Sequence, residues 1–187
     1  MIKIIRTLRF PDILTLFGLA WIILAMYLVI AGFNKIGIGI MLFSMLFDFF
    51  DGWAARRYGG SGYGIFLDSG YDILAYLVFP AIYLMTSIQF QGFYIVFLIP
   101  MICAGILRLA RFAKEGFADE KARYYTGMPV FYLSLIPILL YYGVPIYFIG
   151  FAIIIATALM VSEIKFLKPK HPVFALLILG LSVFFLL

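Results

Sequence analysis

The sequence predicts an all-α, polytopic integral membrane protein with a single membrane-embedded domain over residues 1–187. Of its 187 residues, 66% are hydrophobic and only 12% are charged, and the mean hydropathy is +1.13. These values lie outside the range of soluble globular proteins. Apolar runs recur along the chain, close to the length of about 20 residues that a membrane-spanning helix needs. The basic residues fall between these runs in a one-sided pattern.

The distribution of Lys and Arg predicts the orientation of the helices. All 14 basic residues except Lys35 lie at the N-terminus, in alternate connectors or at the helix ends beside those connectors, and the other set of connectors contains no acidic residue. Positively charged connectors are retained on the cytoplasmic side of a membrane. The N-terminus is therefore predicted to be cytoplasmic. Because this arrangement accounts for the net charge of +5, no nucleic-acid partner is expected.

The order of the elements follows from the apolar runs and the residues that interrupt them. Residues 1–10 alternate basic and apolar side chains at helical spacing, which predicts an amphipathic helix on the cytoplasmic surface. Pro11 and Asp12 are typical of a helix start. Six core helices are predicted over residues 12–31, 36–57, 64–87, 93–113, 127–142 and 146–162. An extra C-terminal helix, 172–187, has only 16 residues and is short for a span.

Turn-forming or polar segments separate these helices. They are the short turn 32–35, the glycine-rich connector 58–63, the uncharged loop 87–92, the charged segment 114–126, the Gly-Val-Pro turn 143–145 and the basic segment 163–171. Glycine, proline and clustered polar residues interrupt helical periodicity, so each segment is expected to end one helix and begin the next.

Four of the nine acidic residues lie at membrane depth in the second and third predicted helices. Asp48 and Asp51 are three residues apart and Asp68 and Asp72 are four apart, so each pair shares a helix face. The connector 58–63 reads Tyr-Gly-Gly-Ser-Gly-Tyr, which predicts an antiparallel hairpin. At about 1.5 Å per residue, Asp51 and Asp68 lie roughly 8–10 Å below the same membrane surface. The hairpin is expected to bring all four carboxylates together.

Four converging carboxylates require positive charge between them, because like charges at short range repel. The alternative is four unrelated buried acids with basic partners, which only Arg56 and Arg57 could supply locally. Oxygen ligands without nearby His or Cys suit hard divalent cations rather than zinc. The four aspartates are therefore predicted to hold one or two Mg²⁺ or Mn²⁺ ions, and Ca²⁺ could also bind.

Eight positions in this stretch match a known motif. They are Asp48, Asp51, Gly52, Ala55, Arg56, Gly64, Asp68 and Asp72. Their order and spacing closely resemble the signature of the class I CDP-alcohol phosphatidyltransferase family, except that seven residues instead of the usual eight or nine separate Arg56 from Gly64. The resemblance implies a membrane enzyme with a core of six helices that uses an alcohol to displace CMP from a CDP-linked lipid. It also implies a homodimer.

Further residues resemble one branch of that family, the membrane-type phosphatidylserine synthases. This narrower resemblance covers roughly residues 10–135 and rests on Leu-Asp-Ser at 67–69, Pro80, Leu-Arg-Leu-Ala-Arg-Phe at 107–112 and Gly-Met-Pro at 127–129. Two positions depart from the branch. Ala113 stands where an Asn is usual, and Gly70-Tyr71 replaces the common Leu-Ala before the last Asp.

The resemblance implies roles for the motif residues, and the chemistry of a pyrophosphate supports them. Divalent ions held by the aspartates would neutralise charge on the attacked phosphorus and the departing CMP. Arg56 can reach phosphate oxygens with two N–H donors. Gly52 and Ala55 leave room for the nucleotide, although small residues equally serve close helix packing. Asp72, left partly free of metal, is expected to be the general base that accepts the proton of the serine hydroxyl.

Four other positions complete the predicted substrate-binding set. Arg108 and Arg111 share a face near the cytoplasmic end of the fourth helix, where they either bind the serine carboxylate or lipid phosphate or only fix the topology. Thr15 donates to the nucleotide or to its own helix backbone. Gly64 belongs to the set as a member of the motif.

The expected reaction transfers a phosphatidyl or archaetidyl group from CDP-diacylglycerol or CDP-archaeol to L-serine and releases CMP. The site is expected near the cytoplasmic face, among membrane lipids. One alternative keeps this reaction but uses inositol phosphate or glycerol phosphate as the acceptor. A second is a cation transporter, although the broken helices and repeats of transporters are not evident. An intramembrane aspartyl protease is disfavoured because its Gly-x-Gly-Asp element is missing.

Overall fold

The computed structural model describes residues 8–87, 92, 95–116, 124–168 and 171–187. Most of the predicted surface helix 1–10 and much of the predicted connectors 87–92 and 114–126 lie outside the described residues. The chain forms two compact units, one over residues 1–74 and 171–187 and the other over residues 75–170.

The first unit is built on three helices from the N-terminal part of the chain. They are α1 (Phe10–Ile30), α2 (Asn34–Tyr58) and α3 (Gly64–Asp72). Pro11 lies in the first turn of α1, and Gly32, with φ of 90°, follows its end. A Cβ on Gly37 of α2 would lie 2.6 Å from Val29 Cγ2, so the missing side chain lets α1 and α2 approach closely.

The predicted extra C-terminal helix is present as α8 (His171–Leu186) and packs on α2. The buried Ser182 hydroxyl donates a hydrogen bond to the Gly39 carbonyl at 2.9 Å. A Cβ on Gly39 would lie 3.0 Å from Leu186, so glycine again permits the close contact. α8 therefore belongs to the same unit as the acidic hairpin.

The third apolar segment runs from Gly64 to Thr86 as α3, a π-helical stretch (Ile73–Val78) and α4 (Phe79–Thr86). Its extent agrees with the predicted helix 64–87, but the π-helical stretch was not anticipated. Pro80 lacks the N–H that would bond to the carbonyl four residues earlier, and this loss favours a local change of helical pitch.

The second unit contains α5 (Ile95–Glu115), α6 (Leu135–Tyr141) and α7 (Ile146–Val161), with α5 packed on α7. It also contains two short strands, β1 (Tyr124–Thr126) and β2 (Lys165–Leu167), which pair antiparallel with Tyr125 opposite Phe166. Both strands lie in segments that the sequence predicts to be connectors on one side of the membrane, and the ladder joins these two segments directly.

The predicted helix 127–142 begins later than expected. Gly127 has φ of 74°, and its N–H donates to the Ile164 carbonyl at 2.9 Å. Met128 N–H donates to the Leu159 carbonyl at 3.0 Å. These contacts hold the chain in a non-helical path, so a 3₁₀ turn (Val130–Ser134) starts only after Pro129, and α6 follows it.

Four described helical segments are long and apolar enough to cross a membrane. They are Phe10–Ile30, Asn34–Tyr58, Gly64–Thr86 and Ile95–Glu115. Three shorter apolar helices, of 10–17 residues, cover Val130–Tyr141, Ile146–Val161 and Val173–Leu186. The chain is therefore an all-α polytopic integral membrane protein, as predicted from its hydropathy.

Candidate active site

The α2–α3 hairpin brings three of the four predicted aspartates together. Each of Asp48, Asp51 and Asp68 offers one carboxylate oxygen, and these oxygens all lie within 4.8 Å of one another. Asp51 is buried and the other two are half-buried. The helical spacing of Asp48 and Asp51 directs both toward α3, where Asp68 meets them.

This oxygen cluster has the chemistry of a divalent cation site. The side chains of Asp48 and Asp68 lie at hydrogen-bonding separation. At this separation two ionised carboxylates repel unless a proton or a cation lies between them. The three ligands are all carboxylate oxygens, the donors that Mg²⁺, Mn²⁺ and Ca²⁺ prefer. The residues present therefore fit a hard divalent cation, whose identity the ligand set leaves open.

Asp51 is held in place by donors from two directions. The buried Thr15 hydroxyl on α1 donates to Asp51 Oδ2, and the Gly52 backbone also hydrogen bonds to the carboxylate. Thr15 lies 3.2 Å from the Pro11 carbonyl of its own helix as well. The sequence predicts that Thr15 contacts either the nucleotide or the backbone of its own helix. The backbone contact is present, and Asp51 is an additional partner that the sequence does not suggest.

Asp12 is a buried carboxylate beside the hairpin. The sequence predicts it only as part of a helix start. Its Oδ2 accepts from the Arg9 backbone N–H at 2.6 Å, and its Oδ1 accepts from the Ser61 hydroxyl at 2.9 Å. A Cβ on Gly64 would lie 3.5 Å from Asp12 Oδ1. Asp12 therefore ties the glycine-rich connector to the start of α1. An acidic residue in the first turn of a helix predicts the contact of Asp12 with the Arg9 backbone N–H. Its contact with Ser61 depends on the tertiary fold.

Asp72, the predicted general base, is the last residue of α3 and is half-buried. It follows Asp68 by four residues and so lies on the same helix face. It is not a member of the group of three carboxylates defined above.

The predicted substrate-binding residues of the hairpin lie between Asp51 and Asp68 in the sequence. Arg56 is exposed, and Gly52, Ala55 and Gly64 are half-buried. The Nη1 of Arg56 lies 3.5 Å from the position that a Cβ on Gly52 would occupy. The Arg56 guanidinium therefore folds back over Gly52, the residue that follows Asp51. Gly64 is the first residue of α3.

The two predicted arginines of α5 belong to the second unit and contact residues of that unit. Arg108 is buried, with its guanidinium carbon 5.2 Å from the ring centre of Phe112 and 5.3 Å from that of Tyr125. Arg111 donates to the carbonyls of Val161 at 2.9 Å and Ser162 at 3.0 Å. Arg111 therefore caps the C-terminus of α7, where a cation is favoured by the helix dipole.

Comparison with known proteins assigns the chain to a family. A family profile described as CDP-alcohol phosphatidyltransferase matches residues 8–167. The chain is 29% identical over 171 residues to an archaetidylserine synthase of Methanothermobacter thermautotrophicus, which covers 88% of this chain and 72% of the relative. It is 33% identical over 135 residues to a CDP-diacylglycerol–serine O-phosphatidyltransferase of Methanocaldococcus jannaschii, which covers 71% of this chain and 63% of the relative.

The matched range includes both the α2–α3 hairpin and α5, so the oxygen cluster lies inside the region shared with these transferases. The match covers most of the sequence, from the start of α1 to the end of β2. The chain therefore belongs to the CDP-alcohol phosphatidyltransferase family.

Proposed function

We propose that this enzyme transfers a lipid phosphate group from a CDP-activated lipid to the hydroxyl of L-serine, releasing CMP. Serine appears in the names of both relatives, in the archaetidylserine product of one and beside the CDP-diacylglycerol donor of the other. The observation that carries the proposal is the group of three carboxylates on the α2–α3 hairpin, which suits a diphosphate substrate bound through divalent cations.

The reaction replaces a phosphoanhydride bond of the CDP-lipid with a phosphoester bond to serine. The serine hydroxyl oxygen forms a bond to the lipid-linked phosphorus, and the bond from that phosphorus to the CMP oxygen breaks. The serine hydroxyl loses its proton, and CMP leaves with the electron pair of the broken bond. Asp48, Asp51 and Asp68 would hold the divalent cation, which when bound supplies positive charge to the diphosphate oxygens. Mg²⁺ or Mn²⁺ is the proposed ion.

The remaining hairpin residues have roles that follow from their positions. Asp72 is the proposed base for the serine proton, since it shares the Asp68 face but is not one of the three clustered carboxylates. Arg56 is exposed and folds over Gly52, so its donors can turn toward phosphate oxygens of the bound nucleotide. Gly52, Ala55 and Gly64 leave the hairpin backbone accessible to that nucleotide.

We also propose that the N-terminus and the carboxylate cluster are on the cytoplasmic side. The Lys and Arg distribution supports this orientation. The β1–β2 pairing agrees with one part of this distribution, because it holds two of the basic connectors against each other within the second unit. A homodimer and a single catalytic domain over residues 1–187 remain predictions from the family resemblance and the composition.

A substrate panel tests the function. Purified protein in detergent is given CDP-diacylglycerol or CDP-archaeol with serine, glycerol phosphate or inositol phosphate, and CMP release is measured with Mg²⁺, with Mn²⁺ and with EDTA. We expect release with serine and a divalent ion, and none with EDTA. Faster release with a phosphorylated alcohol would overturn serine as the acceptor. Release that persists in EDTA would overturn the metal site.

A further inference from the structure

Tyr71 connects three helices immediately beside the carboxylate cluster. Its side chain is fully buried, and its hydroxyl lies 2.9 Å from the Ser44 hydroxyl of α2. A Cβ on Gly18 of α1 would lie 3.1 Å from Tyr71 Cε2, closer than an ordinary contact. The tyrosine ring therefore packs close to the α1 backbone, and a side chain at position 18 would require the ring to shift by a few tenths of an ångström.

The two hydroxyls of Tyr71 and Ser44 can each act as the donor in this hydrogen bond. The Ser44 Oγ also lies 2.7 Å from the Met41 carbonyl, which can only accept. Donation from Tyr71 to Ser44 and from Ser44 to Met41 satisfies both contacts. Ser44 is itself buried, so this oxygen has been removed from water and the bond is well protected from exchange.

The location of this bond relates it to the metal ligands. Ser44 precedes Asp48 by four residues on α2, and Tyr71 follows Asp68 by three residues on α3. Since the two helices are antiparallel, the Tyr71–Ser44 bond lies one helical turn further from the connector 58–63 than the Asp48–Asp68 pair. It joins the same two helices that supply the three carboxylates.

We propose that Tyr71 is a positioning residue whose hydrogen bond to Ser44 sets the separation of Asp68 from Asp48 and thereby the affinity of the cluster for a divalent cation. The proposal rests on the metal site of the proposed function. Repulsion between the carboxylates pushes α2 and α3 apart before an ion binds, and a bond one turn away resists that movement.

The test measures Mn²⁺ binding by electron paramagnetic resonance on purified protein without substrate, with CMP release recorded separately. Y71F removes only the hydroxyl and keeps the ring on Gly18, and S44A removes the acceptor. S182A is the matched control, because it deletes a buried hydrogen bond that α8 makes to Gly39 on the same helix α2, away from the carboxylates.

We expect Y71F and S44A each to raise the Kd for Mn²⁺ by up to about 10-fold, the lower end of the loss caused by removing direct partners of metal ligands, because this bond lies one turn away from the ligands. The double variant should be no weaker than Y71F, because both changes break one bond. S182A should lower thermal stability and leave the Kd for Mn²⁺ unchanged. If Y71F fails to fold, S44A tests the same bond with the ring still in place.

Wild-type affinity in Y71F or S44A, or an equal loss of affinity in S182A, would overturn the positioning role. That failure is distinct from failure of the proposed function. Wild-type protein that binds Mn²⁺ but releases no CMP from a CDP-lipid would refute the serine transferase and leave the Tyr71 result standing. Wild-type protein that binds no Mn²⁺ would overturn the metal site and this inference together.

Discussion

The hydroxyl of Thr15 on α1 donates a hydrogen bond to Oδ2 of Asp51 on α2, across 36 positions of sequence. Both side chains are buried, so the carboxylate depends on protein donors rather than water. α1 supplies no member of the three-carboxylate group. It nevertheless fixes the orientation of the group's most buried member, so the geometry of the site depends on three helices.

Replacing Thr15 with Val tests this relationship, because Val keeps the shape of the side chain and removes the donor. We expect the free energy of unfolding to fall by about 1–3 kcal/mol, the cost of leaving a buried acceptor without its partner. The Mn²⁺ concentration that gives half-maximal CMP release should rise, because the Asp51 carboxylate is free to rotate. Thermal denaturation and metal titration of activity measure the two effects.

Thr157→Val is the matched control for this change. The Thr157 hydroxyl donates to the Ile153 carbonyl of its own helix at 2.7 Å, in the second unit. Its loss should affect stability slightly and leave the metal requirement of the wild type. A Thr15→Val enzyme with the same metal requirement as Thr157→Val would show that the contact with Asp51 does not orient a ligand.

The clustered aspartates could be predicted from the sequence, but their partners could not. The spacing of Asp48 and Asp51, together with the glycine-rich connector, fixes which faces of a hairpin meet, and local geometry is sufficient for that inference. The contact of Asp51 with Thr15 depends instead on how α1 packs against α2. No periodicity in the sequence encodes that packing.

Asp68→Asn should have opposite effects on stability and on activity. In EDTA, the substitution removes one of two carboxyl groups held at hydrogen-bonding separation, so repulsion falls and Tm should rise. A gain of about 1 kcal/mol corresponds to about 2–4 °C in a chain of this size. With Mg²⁺ present, CMP release should be lost because one ligand is missing. Denaturation with and without EDTA, beside the activity assay, measures both effects.

The wild-type protein provides the reference for that experiment. A ligand that binds only the folded state adds about 2.7 kcal/mol at 100 times its Kd, so Mg²⁺ should raise the wild-type Tm. This rise should be much smaller in Asp68→Asn. An unchanged rise would place the bound ion elsewhere, and a lower Tm in EDTA would contradict the repulsion between Asp48 and Asp68.

Asp72→Asn separates the proposed base from the proposed ligands. Loss of a general base reduces kcat by about 10²–10⁴-fold. The Kd for Mn²⁺ should stay close to the wild-type value, because Asp72 is not one of the three clustered carboxylates. The rate of CMP release measures kcat, and Mn²⁺ titration without substrate measures the Kd for the ion. Full activity would remove Asp72 as the base, whereas a loss of Mn²⁺ binding would make it a fourth ligand, as the sequence predicted.

Arg111→Met tests whether this arginine stabilises the fold or binds serine. Two of its N–H donors are engaged by the carbonyls of Val161 and Ser162. Their loss leaves the end of α7 without its cap, which should cost about 1–2 kcal/mol. The KM for serine should change by less than about twofold, since no ground-state contact with substrate is removed.

Arg111→Lys serves as the control, because it keeps a cation at the helix end without the two-pronged geometry of a guanidinium. Its stability should fall between the wild type and Arg111→Met. A large increase in the KM for serine, with stability unchanged, would contradict the capping role and support the serine-carboxylate role that the sequence allowed.

The second unit was less predictable than the first because contacts between segments distant in the sequence override helical propensity there. β1 and β2 have three residues each, too few for a strand pattern in the sequence, and they form because each supplies the other with backbone partners. The late start of the helix after Gly127 has the same origin. Gly-Met-Pro at 127–129 signals a break, but its docking on the end of α7 depends on tertiary contacts.

Gly127→Ala should destabilise the second unit more than the conformational preference of alanine alone explains. Gly127 has φ of 74°, and a Cβ there would lie 2.4 Å from the Met160 carbonyl oxygen. Gly143 has nearly the same φ, 78°, with nothing within 4 Å of its Cβ position. Gly143→Ala therefore reports the left-handed strain by itself, about 1–2 kcal/mol.

The difference between these two alanine variants isolates the clash at Met160. The obstructing atom is the Met160 carbonyl oxygen, a backbone atom at the end of α7 that cannot move aside as a flexible side chain would. Residues 127–128 must therefore move, which breaks their hydrogen bonds to Ile164 and Leu159. We expect Gly127→Ala to lose about 2–5 kcal/mol in total. Equal melting temperatures for the two variants would mean that residues 127–128 do not dock on α7, and the β1–β2 ladder beside them would lose its anchor.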